Sequence, residues 1–221
     1  MIRVEEISKI YTVGGQVLKA VDKASFTVNK GEIAAVVGHS GSGKTTLLSL
    51  IGGLTRPDSG LIQIDKVNIW AMDDNSLSEF RNKKISFIYQ FSSLIPTLTV
   101  MENIMLPTAF GKYEGDVAGY AKELINIVGL EEKMQSYPSH LSGGQQRRVA
   151  IARAFINKPD IILADEPTGD LDEETEKEII QVFQKMNRDG NITFIIATHS
   201  GEITANAHKK FKMSGGVLTI E

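Results

Sequence analysis

The chain has 221 residues, no cysteine and a formal net charge of −3 at pH 7. This length suits one large domain or a domain with a subdomain, and the lack of cysteine excludes a disulfide framework and a thiolate metal site. The slightly negative charge argues against a broad nucleic-acid footprint, so no nucleic-acid partner is expected. The N-terminus is unlike a secretory signal, and no apolar run reaches the length of a membrane-spanning helix. We therefore expect a soluble protein that reaches a membrane only through a partner.

The N-terminal part has the residue pattern of an antiparallel sheet. Apolar residues alternate or cluster over 2–8 and 17–28, and Gly14-Gly15 lies between these runs. Tyr11 is predicted to lie on the loop between them. A tyrosine there can stack on a nucleotide base, a contact worth ~1 to 3 kcal/mol, but ordinary strand-end packing is the alternative explanation.

A glycine-rich segment from Gly38 to Thr45, with the sequence GHSGSGKT, follows the apolar run 33–37 and precedes a helical pattern. Such a loop turns backbone N–H groups toward a phosphate, while the lysine adds a positive charge and the threonine hydroxyl can bind Mg²⁺. A plain turn between a strand and a helix is the alternative, but such a turn needs one or two glycines and no lysine or threonine at fixed positions. A dinucleotide-binding fingerprint is excluded because its third glycine is missing. The loop predicts a purine-nucleotide hydrolase or kinase. The expected nucleotide-binding residues are Gly38, Ser40, Gly41, Ser42, Gly43, Lys44, Thr45 and Thr46.

Polar residues follow three predicted strands at the edge where ligands collect in an open α/β sheet. Gln90 follows the strand 85–89 and could offer its amide oxygen to Mg²⁺ or water, although a surface glutamine is the commoner explanation. His199 follows the strand 192–197, where it could contact a phosphate or orient a neighbour, although a lone strand-end histidine is usually structural.

Asp165 and Glu166 follow the apolar run 160–164. Adjacent side chains point to opposite sides of a strand, so the two carboxylates are expected to have different roles. Asp165 is placed to hold Mg²⁺, directly or through water, and Glu166 to orient or deprotonate an attacking water. A solvated acidic turn is the alternative.

The stretch from Phe91 to about Leu141 has a helical composition and no predicted strand, which indicates an inserted helical subdomain. A capping box is predicted at Thr99–Glu102, and another at Ser76–Glu79 before this stretch. The insertion begins with large apolar side chains that either form its core or leave a protein-binding patch exposed. These side chains are Phe91, Leu94, Ile95, Pro96, Leu98, Met101 and Met105.

A second helix start suited to an anion occurs at Leu141-Ser142-Gly143-Gly144-Gln145. Ser142 and Gln145 have capping-box spacing, and the two glycines leave the helix N-terminus open. A simple loop-to-helix junction is the alternative. Because the first loop already supplies an anion site, this one would make sense if it served the nucleotide of another copy. Further along, Asp172 is predicted to cap a helix, and residues 211–220 to form a closing hairpin.

Taken together, these motifs resemble the nucleotide-binding subunit of ATP-binding-cassette (ABC) transporters along essentially the whole chain. Tyr11 matches the family's adenine-stacking aromatic, 38–45 its Walker A loop and Gln90 its Q-loop. Residues 141–145 match the signature motif, 161–166 the Walker B strand with its catalytic glutamate, and His199 the switch histidine. The D-loop corresponds to 169–172, with Asp170, Leu171 and Asp172. The sequences EPTGDLD and PTLTVMENI are most similar to the lipoprotein-release, macrolide-export and cell-division branch.

The resemblance implies an α/β fold with a P-loop NTPase core, a mostly parallel sheet and an N-terminal antiparallel β subdomain. The core and β subdomain would comprise 1–90 and 146–221, and a helical subdomain about 91–145. It implies ATP and Mg²⁺ as cofactors, with Lys44, Gln90, Glu166 and His199 in catalysis and Thr45, Gln90 and Asp165 at the metal.

The resemblance also implies partners. Two copies would form a homodimer on ATP binding, with each ATP between one chain's Walker A loop and the other chain's Ser142 to Gln145. An integral membrane permease would dock in the groove near Phe91 to Met105, which would place the protein in the cytoplasm on the inner face of the cell membrane.

Two other functions are compatible with parts of this pattern. One is a soluble ABC ATPase of cofactor assembly or translation, and the other is a binding module that uses ATP only to dimerise. The intact set of Lys44, Asp165, Glu166 and His199 weighs against the second.

The chain departs from the lipoprotein-release, macrolide-export and cell-division branch at three places. These are Ser200, where Asp is frequent, Asp170, and Phe91-Ser92-Ser93.

Overall fold

A computed structural model describes residues 1–111, 113, 115–169 and 171–221, which form two sheets and the helices packed on them. The first sheet is antiparallel, with the order β2-β1-β4-β5. Its strands are β1 (Ile2–Val13), β2 (Gln16–Val28), β4 (Ser59–Ile64) and β5 (Val67–Asn68). The predicted N-terminal antiparallel subdomain is therefore confirmed.

The turn between β1 and β2 explains one wrong prediction. Gly14 and Gly15 both have positive φ angles, 57° and 81°, as a tight two-residue hairpin turn requires. The strands therefore remain paired up to the turn, and Tyr11 lies within β1 opposite Leu18 rather than on a loop.

The second sheet has six strands in the order β10-β9-β3-β8-β7-β6. The ladders between β9, β3, β8, β7 and β6 are parallel, and the predicted C-terminal hairpin adds β10 antiparallel to β9, so the mostly parallel sheet is confirmed. Its strands are β3 (Ile33–Val37), β6 (Ile85–Ile88), β7 (Ile161–Asp165), β8 (Thr193–Ala197), β9 (Lys209–Ser214) and β10 (Val217–Ile220).

Seven α-helices connect or cover these strands in the part of the chain that is described. They are α1 (Lys44–Ile51), α2 (Asp74–Lys84), α3 (Val100–Met105), α4 (Val117–Ile127), α5 (Gly143–Phe155), α6 (Glu173–Gly190) and α7 (Gly201–Ala205). None of the helices described is both long enough and apolar enough to cross a bilayer.

Two of the three predicted capping boxes are confirmed, at Thr99 and at Ser142. The box predicted at Ser76 is wrong, because α2 is capped by Asp73. The Asp73 carboxylate accepts hydrogen bonds from both the amide (2.9 Å) and the hydroxyl (2.7 Å) of Ser76, so the helix begins earlier than predicted.

The six-stranded sheet is buried on both faces. Alternate residues of β8 show this, since Phe194 and Ile196 join a core with α3, α4, α5 and α6, whereas Ile195 and Ala197 join a core with α1 and the antiparallel sheet. Continuous apolar strands are expected where both faces are covered. The carboxyl ends of β3, β6, β7 and β8 are consequently held at one firmly packed edge.

Candidate active site

The phosphate loop connects β3 to α1, and two of its glycines are required by close backbone neighbours. A Cβ at Gly38 would lie 2.1 Å from the carbonyl oxygen of Met213, and one at Gly43 would lie 2.0 Å from that of Ala20. Gly43 also has a φ of 109°, which L-residues rarely adopt. The tertiary packing of β2 and β9 therefore adds a reason for these glycines beyond phosphate binding.

Lys44 lies inside this loop with its side chain 7% exposed. Its ammonium group donates a hydrogen bond to the Gly38 carbonyl (2.6 Å) and lies 3.6 Å from Glu166 Oε1 and 3.4 Å from His199 Nε2. A positive charge thus faces the region between the phosphate loop and the ends of β7 and β8.

Thr45, in the first turn of α1, contacts Asp165 at the end of β7. The Thr45 hydroxyl donates a hydrogen bond to Asp165 Oδ2 at 2.6 Å. These are hard oxygen donors of the kind that Mg²⁺ prefers. Among the described residues, no group of three or more acidic, histidine or cysteine side chains is arranged so that it could hold a metal ion by itself. Since Mg²⁺ is commonly held by one or two carboxylates together with substrate phosphates, the pair fits a metal that arrives with a nucleotide.

Glu166 follows β7 directly and has an unusual backbone, with a φ of 46°. Its amide donates to the Ala197 carbonyl (2.8 Å), and its Oε2 accepts from the His199 amide (3.1 Å). Its Oε1 is buried and accepts no hydrogen bond from any described residue, although His199 Nε2 lies 3.3 Å away. A buried, ionisable acceptor of this kind is suited to receive a proton.

A cleft of about 620 Å³ brings together most of the predicted residues. It is lined by Tyr11, by Ser40 to Thr46, and by Gln90, Asp165, Glu166 and His199. Gly38 contributes through its carbonyl, which holds Lys44. The cleft unites residues that are up to 188 positions apart, from Tyr11 to His199, because they lie where neighbouring strands end.

Two lining residues were not predicted from the sequence, namely Leu18 and Ala20, whereas the lining residue Gly169 begins the predicted D-loop range 169–172. Leu18 lies opposite Tyr11 in the β1–β2 ladder, and both side chains are exposed, by 54% and 37%. An apolar pair of this kind forms a platform for a flat ring. Counting back from the Gly14-Gly15 turn with hairpin register would have paired Leu18 with Tyr11.

The second predicted anion site lies elsewhere, since Ser142 to Gln145 do not line the cleft. The Ser142 hydroxyl accepts from the Gln145 amide (3.2 Å), and Gln145 Oε1 accepts from the Ser142 amide (3.0 Å). A Cβ built on Gly143 would meet nothing within 4 Å, so this start of α5 is open. The structure therefore separates the two anion-binding features within one chain.

The predicted D-loop is placed beside that helix start. A Cβ on Gly144 would lie 3.9 Å from Leu171 Cδ2. Asp172 caps α6 by accepting from the Thr175 amide (2.9 Å), and this hydrogen bond lowers the pKa of the Asp172 carboxyl. Asp170, the remaining D-loop residue, lies outside the described residues.

The apolar start of the helical stretch divides into packed and exposed side chains. Leu94, Met101 and Met105 pack against the core formed by α3, α4 and α5. Phe91 and Ile95 are 77% and 40% exposed. The predicted patch is therefore smaller than the sequence pattern indicated.

Comparison with known proteins gives consistent matches along the whole chain. The family model described as ABC transporter matches residues 21–169. A lipoprotein-releasing system ATP-binding protein LolD from Cytophaga hutchinsonii is 42% identical over 220 residues, covering 99% of this chain and 98% of the relative. The ABC transporter ATP-binding protein YtrE from Bacillus subtilis is 44% identical over 226 residues, covering 99% and 96%.

Solved structures match equally well. The ATP-binding cassette MJ0796, from Methanocaldococcus jannaschii, has been solved as a dimer in a post-hydrolysis state bound to ADP and Pi. It superposes with a TM-score of 0.93 at 36% identity, covering 100% of this chain and 98% of that structure. The Clostridium perfringens cbiO1, part of the ABC transporter complex cbiONQ, has a TM-score of 0.87 at 27% identity, covering 99% and 86%.

Proposed function

Since this chain belongs to the ABC transporter family, as an ATPase subunit that uses ATP and Mg²⁺, we propose that two copies close around two ATP molecules to drive a separate membrane permease. Each ATP would lie between the phosphate loop of one copy and the start of α5 of the other. The relatives named above are transporter components, so they do not favour a soluble ATPase of cofactor assembly or translation.

Within this proposal the residues of the cleft have distinct roles. Tyr11 offers its ring to the base, and Lys44 with the loop amides binds the phosphates. Thr45, Asp165 and Gln90 would hold Mg²⁺, which neutralises charge that builds up on the phosphate oxygens. Glu166 takes a proton from the attacking water through Oε1, and the His199 amide, 3.1 Å from Oε2, fixes its carboxylate.

The observation that carries the dimer is the position of Ser142 to Gln145. This helix start is capped, open and outside the cleft. A helix N-terminus favours an anion, and the cleft of the same chain already uses the N-terminus of α1. A second copy would supply the anion, which agrees with the dimeric MJ0796 relative bound to ADP and Pi.

Mixing two inactive variants tests this arrangement. Lys44→Ala damages the phosphate loop, and Ser142→Arg blocks the start of α5, so each homodimer should lose ATP hydrolysis. In a mixed dimer one composite site is intact. Random pairing makes half of the dimers mixed, so we expect about a quarter of wild-type turnover when the two sites act independently.

A matched control uses two variants that damage the same half of the site, Lys44→Ala and Asp165→Asn. In every dimer of their mixture, both nucleotide sites have a damaged phosphate-loop half, so the mixture should stay inactive. If the Lys44→Ala and Ser142→Arg mixture also stays inactive, while both variants bind to wild-type chains, the composite site is excluded.

We further propose that the protein is cytoplasmic and bound to the inner face of the cell membrane through its permease. The exposed Phe91 and Ile95 support a docking site at this end of the helical stretch. The division into a core, 1–90 and 146–221, and a helical subdomain of about 91–145 stays a prediction. Helix α5 begins at Gly143 and would cross that boundary.

A further inference from the structure

Two arginines of α5 hold the backbone on both sides of Gln90. Arg147 Nη1 donates to the Tyr89 carbonyl at 2.6 Å. Arg153 donates from its two terminal nitrogens to the carbonyls of Ser93 and Ser92, both at 2.9 Å. These acceptors lie beyond the end of β6 and outside any helix, so side chains rather than a regular backbone ladder fix this segment.

The two arginines differ in burial. Arg147 is 7% exposed, whereas Arg153 is half-buried, and this burial lowers the pKa of Arg153. A planar guanidinium presents its donors in a fixed fork, which matches the two neighbouring carbonyls of Ser92 and Ser93. Moving this segment away would leave the buried Arg147 charge and the half-buried Arg153 charge without these acceptors, which is costly, so the segment is held to α5.

The same helix begins at the Ser142 capping box. Arg147 and Arg153 lie ~8 Å and ~17 Å further along the helix axis, given a rise of 1.5 Å per residue. A single rigid element therefore carries an open N-terminus at one end and the supports of Gln90 along its body. Gln90 lines the cleft that also contains Thr45 and Asp165.

We propose that Arg147 and Arg153 are positioning residues that set Gln90 against the Thr45–Asp165 pair. This inference rests on the proposed function, in which the start of α5 meets the partner's nucleotide. Binding of the partner's nucleotide at that helix start would then affect the metal-binding end of the chain's own cleft through α5 and its two arginines. The two nucleotide sites of the dimer would be coupled by this route.

The test compares Arg153→Ala and Arg153→Lys with the control Arg148→Ala. Arg148 is the residue after Arg147 on α5, but its guanidinium pairs with Glu178 of α6 (2.5 Å). One readout is amide hydrogen exchange of a peptide covering 90–95, measured without nucleotide. The other is Mn²⁺ affinity in the presence of ADP, measured by electron paramagnetic resonance.

We expect Arg153→Ala to speed exchange of this peptide ~10-fold, since local opening controls exchange. It should also weaken Mn²⁺ binding ~10-fold, the usual effect of losing a support of a metal ligand. ADP affinity without metal should stay at the wild-type value. Arg153→Lys, which keeps the charge, should restore part of both properties, and Arg148→Ala should change neither.

Three results would overturn the inference. The first is the same exchange and Mn²⁺ affinity in Arg153→Ala and Arg148→Ala. The second is wild-type Mn²⁺ affinity in Gln90→Ala. The third is full additivity of Gln90→Ala and Arg153→Ala, which would show that they act separately. If Arg153→Ala fails to fold, Arg153→Lys decides by the same readouts. Neither readout needs the composite dimer, so failure here is distinct from failure of the mixing experiment.

Discussion

Glu166 shows how a single residue is prepared for chemistry by the strands around it. Its left-handed backbone, at a φ of 46°, costs of order 1 to 3 kcal/mol for a residue other than glycine. The surrounding structure holds it there, because its amide is bonded to Ala197 and its carboxylate to the His199 amide, both at the end of β8. This leaves Oε1 facing Lys44 and the cleft.

Replacing Glu166 by Gln should separate binding from hydrolysis. The amide oxygen keeps the hydrogen bond from the His199 amide, but the side chain can no longer take up a proton. We expect turnover to fall ~10²-fold or more, because general-base catalysis contributes that much, and the ATP-bound dimer to accumulate. Turnover is measured by phosphate release and the dimer by light scattering with ATP and Mg²⁺.

The exposed carboxylate of Glu174, in the first turn of α6, provides the matched substitution. Glu174→Gln should hydrolyse ATP at the wild-type rate. Wild-type turnover in Glu166→Gln would show that Glu166 is not the general base. Light scattering from monomers alone at saturating ATP would contradict the dimer.

At the scale of elements, carboxylates at three of the helix starts have lowered pKa values. Asp73 caps α2, Asp172 caps α6 and Glu102 completes the capping box of α3. In each case hydrogen bonds from backbone amides lower the pKa of the carboxyl, from ordinary values of 3.8 for Asp and 4.5 for Glu. A lowered folded-state pKa means that these groups stabilise the fold above their ordinary pKa values. This contribution is lost as the pH falls through the folded-state values.

Asp73→Asn tests this pH dependence. Asparagine is an equally good cap but cannot titrate, so the α2 cap should persist at low pH. We expect the free energy of unfolding to decline less steeply below pH 3.8 than in the wild type. Urea unfolding at a series of pH values measures this, with Asp74→Asn as a neighbouring change that leaves the cap intact. An unchanged slope in Asp73→Asn would show that the cap carries no titrating charge.

At the scale of the whole molecule, the six-stranded sheet separates two cores and ends in two different edges. Strand β6 forms one edge and leads into the segment with Phe91 and Ile95, while β10 forms the opposite edge. Leu94 packs against the core beside the helices and is therefore a poor probe of a docking surface. Phe91, at 77% exposure, is a better one.

Phe91→Ser should abolish stimulation of ATP hydrolysis by the permease and leave the basal rate unchanged. Stability should change by no more than ~0.5 kcal/mol, because the side chain is on the surface. Ile220→Ser is the matched control, since Ile220 is also 77% exposed but lies on β10. Hydrolysis is measured with and without the permease in lipid vesicles. Loss of stimulation in both variants, or in neither, would argue against docking at Phe91.

Much of the site could be predicted because many of its functional residues belong to short sequence motifs. The Gly38 to Thr45 loop and the capping boxes at Thr99 and Ser142 depend on residues a few positions apart. Gln90, Glu166 and His199 were brought to one edge by the simple rule that parallel strands end together. Short motifs and the order of the strands can both be recognised from the sequence without knowledge of the packing.

Other features arise only when distant segments meet. Leu18 and Ala20 line the cleft because β2 pairs with β1, and Gly43 is required because the Ala20 carbonyl approaches it. The cap of α2 is a local exception, because the two carboxylate oxygens of Asp73 accept hydrogen bonds from the amide and the hydroxyl of Ser76 and so replace the predicted box.

The sequence alone therefore determined the nucleotide chemistry, which depends on residue type and short spacing. Only the tertiary structure decided which apolar side chains stay exposed, and that α5 grips the Gln90 segment through Arg147 and Arg153. The physical reason is that burial and long-range hydrogen bonds depend on which surfaces meet, and those partners lie some 60 residues apart in the chain.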